Sequence, residues 1–525
     1  MIGHAVRYSI VIPSIGRASL MTLLEQLAVC VGPGPDAVII VDDRRFGTGP
    51  VARLTFDRAP WPVRVIRTGG RGPAAARNAG WRAARSPWIA FLDDDVEVGT
   101  GWMADLHDDL SSVGTAVGGI QGRIVVPLPA DRRPTDWARN TAGLQSAAWI
   151  TADMAYRRTA LQAVHGFDER FVRAFREDAD LALRVEQAGW RLVRGNRITT
   201  HPVRPADDWV SVRVQAGAAD DVLMRSLHGR RWRELAQAGP PGRFRWHLVS
   251  VICAVVSVIS LAGRPRLSAG FAAGWLAVTV EFLARRVLPG PRPGDPAFGA
   301  ELRRMGLTSL MIPFAAVYHR VRGHRRFGRT SPPWPPPVRA VLFDRDGTLV
   351  HDEPYNGDPG KVRTVDGAKV ALDDLRAAGL KVGVISNQSG VGRGLLTNAQ
   401  VVAVNQRIES ELGPFDVWQV CPHVEADRCS CRKPLPGMVL QAARQLGVPA
   451  FQCAVIGDIG ADVLAASAAG AVGVLVPTAH TRQNEVDAAE LVATDLSGAL
   501  DLARSSRCAT TAPAGPVDEL GGAAA

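Results

Sequence analysis

Twice in this 525-residue chain, an apolar run ends in two aspartates separated by a single residue. SPWIAFLDDDVEV places Asp93 and Asp95 after WIAFL, and VRAVLFDRDGTLV places Asp344 and Asp346 after AVLF. Short apolar runs of this kind read as buried strands. In open α/β sheets, ligands collect beyond the carboxyl ends of the strands. Asp93 and Asp95 offer the hard oxygen ligands needed by a divalent cation that bridges a diphosphate. Asp344 and Asp346 suit other chemistry: one carboxylate attacks phosphorus, and the second shuttles the leaving-group proton. More strand ends complete this second set. LKVGVISNQSGVGRG puts Ser386 and Asn387 at one end, CRKPLPGM brings Lys433 to a helix start, and FQCAVIGDIGADV carries Asp458 and then Asp462. A hydroxyl and a lysine neutralise phosphoryl oxygens, while Asp458 joins Asp344 and Asp346 as candidate Mg2+ ligands and Asp462 supports them.

These residues need elements to hold them. In the first half, YSIVIPSIGR, DAVIIVDDR and SPWIAFLDDD read as strands, and GGRGPAAARNAGWRAAR and EDADLALRVEQ as helices. Strands alternating with helices predict an α/β parallel sheet. Asp42 and Asp43 then close one strand, Arg77 and Asn78 lie on a helix behind a glycine-rich turn, and Glu177 and Asp178 open another helix. The second half repeats the alternation, which predicts two separate α/β domains. Within it, Cys421, His423, Cys429 and Cys431 form a C-x-H…C-x-C set suited to tetrahedral structural Zn2+.

Between the halves lies a belt that is apolar and basic at once. Trp246–Gly263 has no formally charged residue, Leu267–Ala284 has only Glu281, and Gly306–Tyr318 is a shorter third stretch. Net charge is +10, and the fourteen arginines and three acids between Gly239 and Pro337 leave the rest near neutral. A basic excess confined to an apolar neighbourhood predicts anionic lipid headgroups as partners and argues against nucleic acid. The first two stretches are long enough for a two-span hairpin, and the third fits an interfacial or re-entrant piece. The expected order is a first domain over residues 1–235, a membrane-associated helical segment over 240–329, a Pro-rich spacer over 330–337, a second domain over 338–505 and a disordered tail over 506–525. MIGHAVRYSIVIP shows no secretory pattern, and clustered thiols suggest a reducing compartment. Both domains are therefore expected on the cytoplasmic side of a membrane.

In their order and spacing, IVIPSIGR, VDDR, AAARNAG, FLDDD, MAYRRTALQAVHGFDERF and EDADLALR resemble family 2 glycosyltransferases of the GT-A fold. That resemblance implies inverting transfer from a nucleotide-diphosphate sugar. Asp42 and Asp43 would approach the base and ribose, and Arg77 and Asn78 would lie near the nucleotide. Asp93 and Asp95 would hold Mn2+ or Mg2+ with His201, and Asp178 would be the catalytic base. Arg44 departs from the small residue usual after VDD. A sugar nucleotidyltransferase is the same-fold rival, but PSIGRAS lacks its glycine-rich loop.

The second half resembles the haloacid dehalogenase (HAD) superfamily at all four motifs. Asp344 matches the nucleophile, Asp346 the general acid/base, Ser386 and Lys433 the phosphoryl stabilisers, and Asp458 a Mg2+ ligand. SNQSGVGRG and CPH…CSCRKPLPGM resemble the heptose-1,7-bisphosphate and histidinol-phosphate phosphatase subgroup, in which Arg393 and Arg432 would face the distal phosphate of a sugar phosphate. The two resemblances together imply a bifunctional enzyme with a lipid-linked or cell-envelope acceptor. An inactive, membrane-targeted scaffold is the alternative for the first half, and histidinol phosphate the alternative substrate for the second.

Overall fold

The computed structural model describes residues 6–45, 59–239 and 242–505, so the expected tail over 506–525 lies outside the described residues. The first domain is built on an eight-stranded sheet of β1 (Tyr8–Ser14), β2 (Val38–Asp42), β3 (Val63–Arg67), β4 (Trp88–Leu92), β5 (Glu97–Val98), β6 (Val117–Val125), β7 (Asp153–Arg157) and β8 (Arg191–Thr200), ordered 3-2-1-4-7-6-8-5. VIIVD and WIAFL are buried at every position, as strands covered on both faces must be. The sheet is parallel from β3 through β4 but mixed beyond it, because β7 runs antiparallel to both β4 and β6. This corrects the expectation of a parallel sheet. Three helices of this domain matter for the site: α1 (Pro73–Ala83), α2 (Glu177–Gln187) and α3 (Gly217–His228).

The belt folds as three helices, α4 (Phe244–Ser260), α5 (Pro265–Val287) and α6 (Phe298–Phe327). Helices α4 and α5 pair as a hairpin whose buried polar groups satisfy one another: Ser257 Oγ donates to Ser268 O at 3.0 Å and Ser268 Oγ to Ser257 O at 2.8 Å. The base of the hairpin is fixed to the first domain by Arg286, which donates to Asp136 Oδ2 at 2.6 Å and to Thr308 Oγ1 at 2.8 Å. Its far end is bare, with Val258 73% and Ile259 76% exposed. Among the described residues, α5 is the one helix long and apolar enough to cross a membrane. The third stretch is not a short re-entrant piece. It lies inside the 30-residue α6, whose face carrying Met305, Ile312 and Ala316 is buried, and Gly323 lets the backbone of α6 close on Ala219 of α3. Arg304 holds α6 to Asp208 at 3.0 Å, a tertiary pairing that extends the helix beyond its apolar core.

The Pro-rich segment runs along the first domain. Trp334 Nε1 donates to His165 O at 3.1 Å, and Arg170 Nη1 donates to Pro332 O at 2.8 Å. It leads into a five-stranded parallel sheet of β9 (Ala340–Phe343), β10 (Lys381–Asn387), β11 (Val417–Cys421), β12 (Cys453–Gly457) and β13 (Val472–Leu475), ordered 11-10-9-12-13. Helices α7 (Gly437–Leu446) and α8 (Gly460–Ala469) cover it. AVLF and CAVIG are again buried throughout.

Candidate active sites

A cavity of about 1520 Å³ opens at the carboxyl ends of β1 and β4 and is lined by Asp93, Asp95, Arg77, Asp178 and His201. One ligand atom from each of Asp93, Asp95 and His201 falls within a mutual 4.8 Å. His201 Nε2 is 3.8 Å from Asp95 Oδ1, and Arg204 Nε is 2.7 Å from Asp95 Oδ2. Asp94, between the two, turns away and takes Ser14 Oγ at 2.6 Å and Arg17 Nη1 at 2.5 Å, fixing the loop after β1. The strand ends at Leu92, and the turn that follows it carries Asp94 toward the loop after β1 while Asp93 and Asp95 stay on the cavity side. Burial, reinforced by Asp93, pushes the Asp95 carboxyl up. Arg77 and Arg204 each answer one of these carboxylates, and the clustered oxygen and imidazole donors of Asp93, Asp95 and His201 are a set that a divalent cation can use.

Arg77 is buried and spans the cavity wall, donating to Asp93 Oδ1 at 2.7 Å and to Glu177 Oε1 at 2.9 Å. Its guanidinium therefore couples the metal-side aspartate to the start of α2. Burial and Asp178 push Glu177 up to about 8. Asp178 takes only the Ala179 N–H, at 2.7 Å, and faces the cavity. Burial raises its carboxyl above the usual carboxylate range.

Three nucleotide-side expectations change. Asn78 is fully buried and engaged by Phe167, Glu169 and Trp81, so it ties α1 to the 167–169 turn and has no surface for a nucleotide. Asp42 is held by Arg44 at 2.8 and 2.9 Å, so the unusual residue after VDD covers the carboxylate that was expected to face the base. Asp43 lines the cavity but accepts from Thr68 Oγ1 and from the amides of Gly70, Arg71 and Gly72 at 2.6–3.0 Å, which makes it the organiser of the glycine turn. Arg204 and Asp94 were missed. Nothing in their spacing signals a role, and only the fold brings them to Asp95 and Ser14.

In the second domain, the ends of β9, β10 and β12 converge. Lys433 Nζ sits 2.6 Å from both Asp344 Oδ1 and Asp462 Oδ1 and donates to Ile385 O at 3.0 Å. Asn387 holds the Lys433 backbone in place, at 3.2 Å to its O and 3.1 Å from its N. The candidate cation site is Asp344, Asp458 and Asp462. The Asp346 carboxylate lies outside it, because Arg345 holds it at 2.9–3.0 Å and Gln388 at 2.8 Å. That corrects Asp346 as a carboxylate ligand of the candidate cation site. Gln388 also donates to Ser386 Oγ at 2.8 Å, a link that the motif spacing did not reveal. Gly347, at φ +80°, is needed twice over: an L residue is strained there, and a Cβ would come 2.3 Å from Asp458.

Three carboxylates around one ammonium leave a surplus of negative charge. Burial, with Asp462 and Asp346 adding to it, pushes Asp344 up to about 8, and burial with Asp462 pushes Asp458 up to about 6. A divalent cation fits this set. Protons compete with it: the raised carboxyls stay protonated below those values, so cation binding must displace protons as pH falls. The apparent Mg2+ affinity for phosphatase activity is therefore expected to weaken by about tenfold per pH unit between 8 and 6, where one proton must be displaced, and more steeply, toward about a hundredfold per unit, below 6, where two must be. Mg2+ titrations of activity at pH 5.5, 6.5 and 7.5 check this, and a flat profile contradicts it.

The four sulfur and nitrogen ligands also meet. Cys431 Sγ lies 3.3 Å from Cys421 Sγ, 3.4 Å from Cys429 Sγ and 3.3 Å from His423 Nδ1, while Cys421 and Cys429 are 3.7 Å apart. A tetrahedron with Zn–S bonds of about 2.3 Å has edges of about 3.8 Å, so the set fits zinc. Arg432 is pinned to its rim, donating to His423 O at 3.3 Å, and Arg393 stacks over Tyr355 at 6.0 Å. Cys429→Ser is expected to lower bound zinc from about one per chain to near zero and the second unfolding transition by about 5–10 °C. Elemental analysis and calorimetry in saturating Mg2+ read the two outcomes.

Comparison with known proteins finds relatives of both halves. The family description Glycosyl transferase family 2 matches residues 9–164, and the HAD-hydrolase-like description matches residues 430–499. The D-glycero-beta-D-manno-heptose-1,7-bisphosphate 7-phosphatase of Rhodopseudomonas palustris is 38% identical over 145 residues, covering 26% of this chain and 81% of that protein. The crystal structure of D,D-heptose 1,7-bisphosphate phosphatase from B. bronchiseptica, complexed with magnesium and phosphate, is 30% identical with a TM-score of 0.30, covering 32% of this chain and 99% of that one. S. aureus TarS is 14% identical with a TM-score of 0.31, covering 59% of this chain and 55% of that one. The chain thus carries a glycosyl transferase family 2 domain in its first half and, through its second half, belongs to the HAD-type D-glycero-beta-D-manno-heptose-1,7-bisphosphate 7-phosphatase family.

Proposed function

We propose that this bifunctional enzyme transfers a sugar, with inversion, from a nucleotide-diphosphate sugar to a lipid-linked or cell-envelope acceptor, and hydrolyses a heptose-bisphosphate-like sugar phosphate. The observation that carries the reading is the presence of two complete acid sets, Asp93/Asp95/Asp178 and Asp344/Asp346/Asp458, at the strand ends of two separate sheets. In the phosphatase, a carboxylate oxygen of Asp344 attacks phosphorus as the ester P–O bond breaks, and Asp346 gives its proton to the departing oxygen. Asp346 then takes a proton from water, whose oxygen attacks the aspartyl phosphate and frees phosphate and Asp344. Lys433 and Ser386 orient and neutralise the phosphoryl oxygens, and a cation held by Asp344 and Asp458 would supply further charge neutralisation.

In the transferase, Asp178 takes the proton of the acceptor hydroxyl while its oxygen bonds to the anomeric carbon. The nucleoside diphosphate leaves with the electron pair. Asp93, Asp95 and His201 would hold Mn2+ or Mg2+ against that diphosphate. Nucleotide sugars, Mg2+ and reduced thiolates favour the cytoplasmic side of the membrane for both domains, with the α4–α5 hairpin inserted. A panel of nucleotide sugars incubated with the full chain and Mn2+ tests the transferase half. One member is expected to be cleaved, and Asp95→Ala or chelation should slow cleavage by about 10²-fold or more. Cleavage indifferent to both would sink the metal role.

A further inference from the structure

The cavity is larger than one ligand needs. Its 1520 Å³ exceeds the roughly 300–1,000 Å³ usual for a single bound small molecule. The acids gather at one end. The other end, between the first domain and the base of the hairpin, is lined by Arg173, Arg225, Arg233, Arg243, Arg245, Arg285 and Arg320. Three carboxylates answer those seven cations: Asp220 faces Arg173 at 3.4 Å, Asp221 pairs with Arg233, and Glu281 is shared by Arg243 and Arg285. Asp221 is further occupied by Arg176 at 3.1 Å. Among the described residues, Arg225, Arg245 and Arg320 have no carboxylate within ion-pair distance; Arg225 and Arg245 are exposed, whereas Arg320 is half-buried with its guanidinium 4.6 Å over the Phe244 ring. An unpaired, partly desolvated guanidinium such as that of Arg320 is costly unless an anion joins it, and its planar fork matches phosphate oxygens; Arg225, which is exposed, adds a like charge close to it.

The surroundings of this end indicate where the anion comes from. Phe244, Trp246 and His247 at the start of α4 line it, and from there α4 runs outward for 17 residues, about 25 Å, with a largely apolar exposed face. The arginine end is therefore at the foot of the one projecting apolar element, where a lipid headgroup would lie if the hairpin is inserted.

We propose that this vestibule is the acceptor subsite and that it binds the phosphate group of a membrane-borne phosphorylated lipid, with Arg225 and Arg320 as its principal phosphate ligands. The inference rests on the transferase reading for the word acceptor. Its physical content is selective binding of a lipid phosphate, which can be measured without any sugar transfer.

The test is equilibrium binding of a tritiated long-chain prenyl phosphate in neutral detergent micelles to the full chain, with glucose 1-phosphate as a soluble competitor. Saturable binding is expected, and Arg225→Gln and Arg320→Gln should each weaken it by about tenfold or more, the usual loss when a hydrogen bond to a charged group is removed. Arg225→Lys, which keeps the charge at an exposed position, should recover part of the loss. Arg325→Gln, exposed on the same helix as Arg320 and outside the cavity, should stay within about twofold. Absence of binding, or equal loss for Arg325→Gln, overturns the site. Displacement by glucose 1-phosphate at concentrations comparable to the lipid's overturns the lipid source. Failure of donor cleavage by the unmodified chain would instead count against the transferase reading and leaves lipid binding to be judged by itself.

Discussion

Asp344→Asn is expected to reduce phosphate release by about 10⁴-fold or more while leaving sugar transfer within about twofold. The size comes from the role. An amide oxygen is a poor nucleophile toward phosphorus, and removing the group that forms the covalent intermediate removes the pathway. The structure argues that the loss is chemical and not a failure to fold. Lys433 keeps Asp462 at 2.6 Å and Ile385 O at 3.0 Å, so no buried charge is orphaned. Asn also keeps the size of the side chain and an oxygen that can accept from Lys433 Nζ, as Asp344 Oδ1 does at 2.6 Å. An unchanged melting temperature beside lost activity is the expected pair of results. Full activity of the variant would show that another group attacks phosphorus.

Asp178→Asn is expected to slow sugar transfer by about 10²–10⁴-fold, the usual contribution of a positioned general base. Asn keeps the acceptor oxygen that takes the Ala179 N–H and removes only the proton-accepting function. Donor KM should stay within about threefold, because Asp93, Asp95 and Arg77 remain in place. Phosphate release by the second domain should be unaffected. A variant that loses donor affinity in place of turnover would place Asp178 in binding, not in proton transfer.

Much of both sites was legible because buried parallel strands leave a plain signature. WIAFL and AVLF are apolar at every position, and the aspartates directly after them must emerge at the ligand side. The C-x-H…C-x-C set was legible because ligand spacing within one loop survives any uncertainty about the fold. The residues that escaped depend on direction in space. Asn78 is the next residue after Arg77, but one step along a helix turns the side chain by about 100°, from the cavity wall to the 167–169 turn. Arg44 looked like a departure of unknown effect until its guanidinium was found folded back on Asp42. The antiparallel entry of β7 leaves no mark in its alternation pattern, since strand direction is set by pairing. Likewise the third belt segment looked too short, because Arg303 and Arg304 interrupt its hydropathy while pairing with Asp208.

A sugar-phosphate phosphatase of the heptose-bisphosphate kind shares this chain with a nucleotide-sugar transferase; that is the central claim. The most direct measurement is phosphate release by the full chain, in Mg2+, from D-glycero-beta-D-manno-heptose 1,7-bisphosphate and from histidinol phosphate under the same conditions. The predicted kcat/KM is at least about 10²-fold higher for the bisphosphate, since a distal phosphate held by arginine hydrogen bonds of about 1.5–3 kcal/mol each gives discrimination of that order. Equal rates, a preference for histidinol phosphate, or no hydrolysis of the bisphosphate would contradict it.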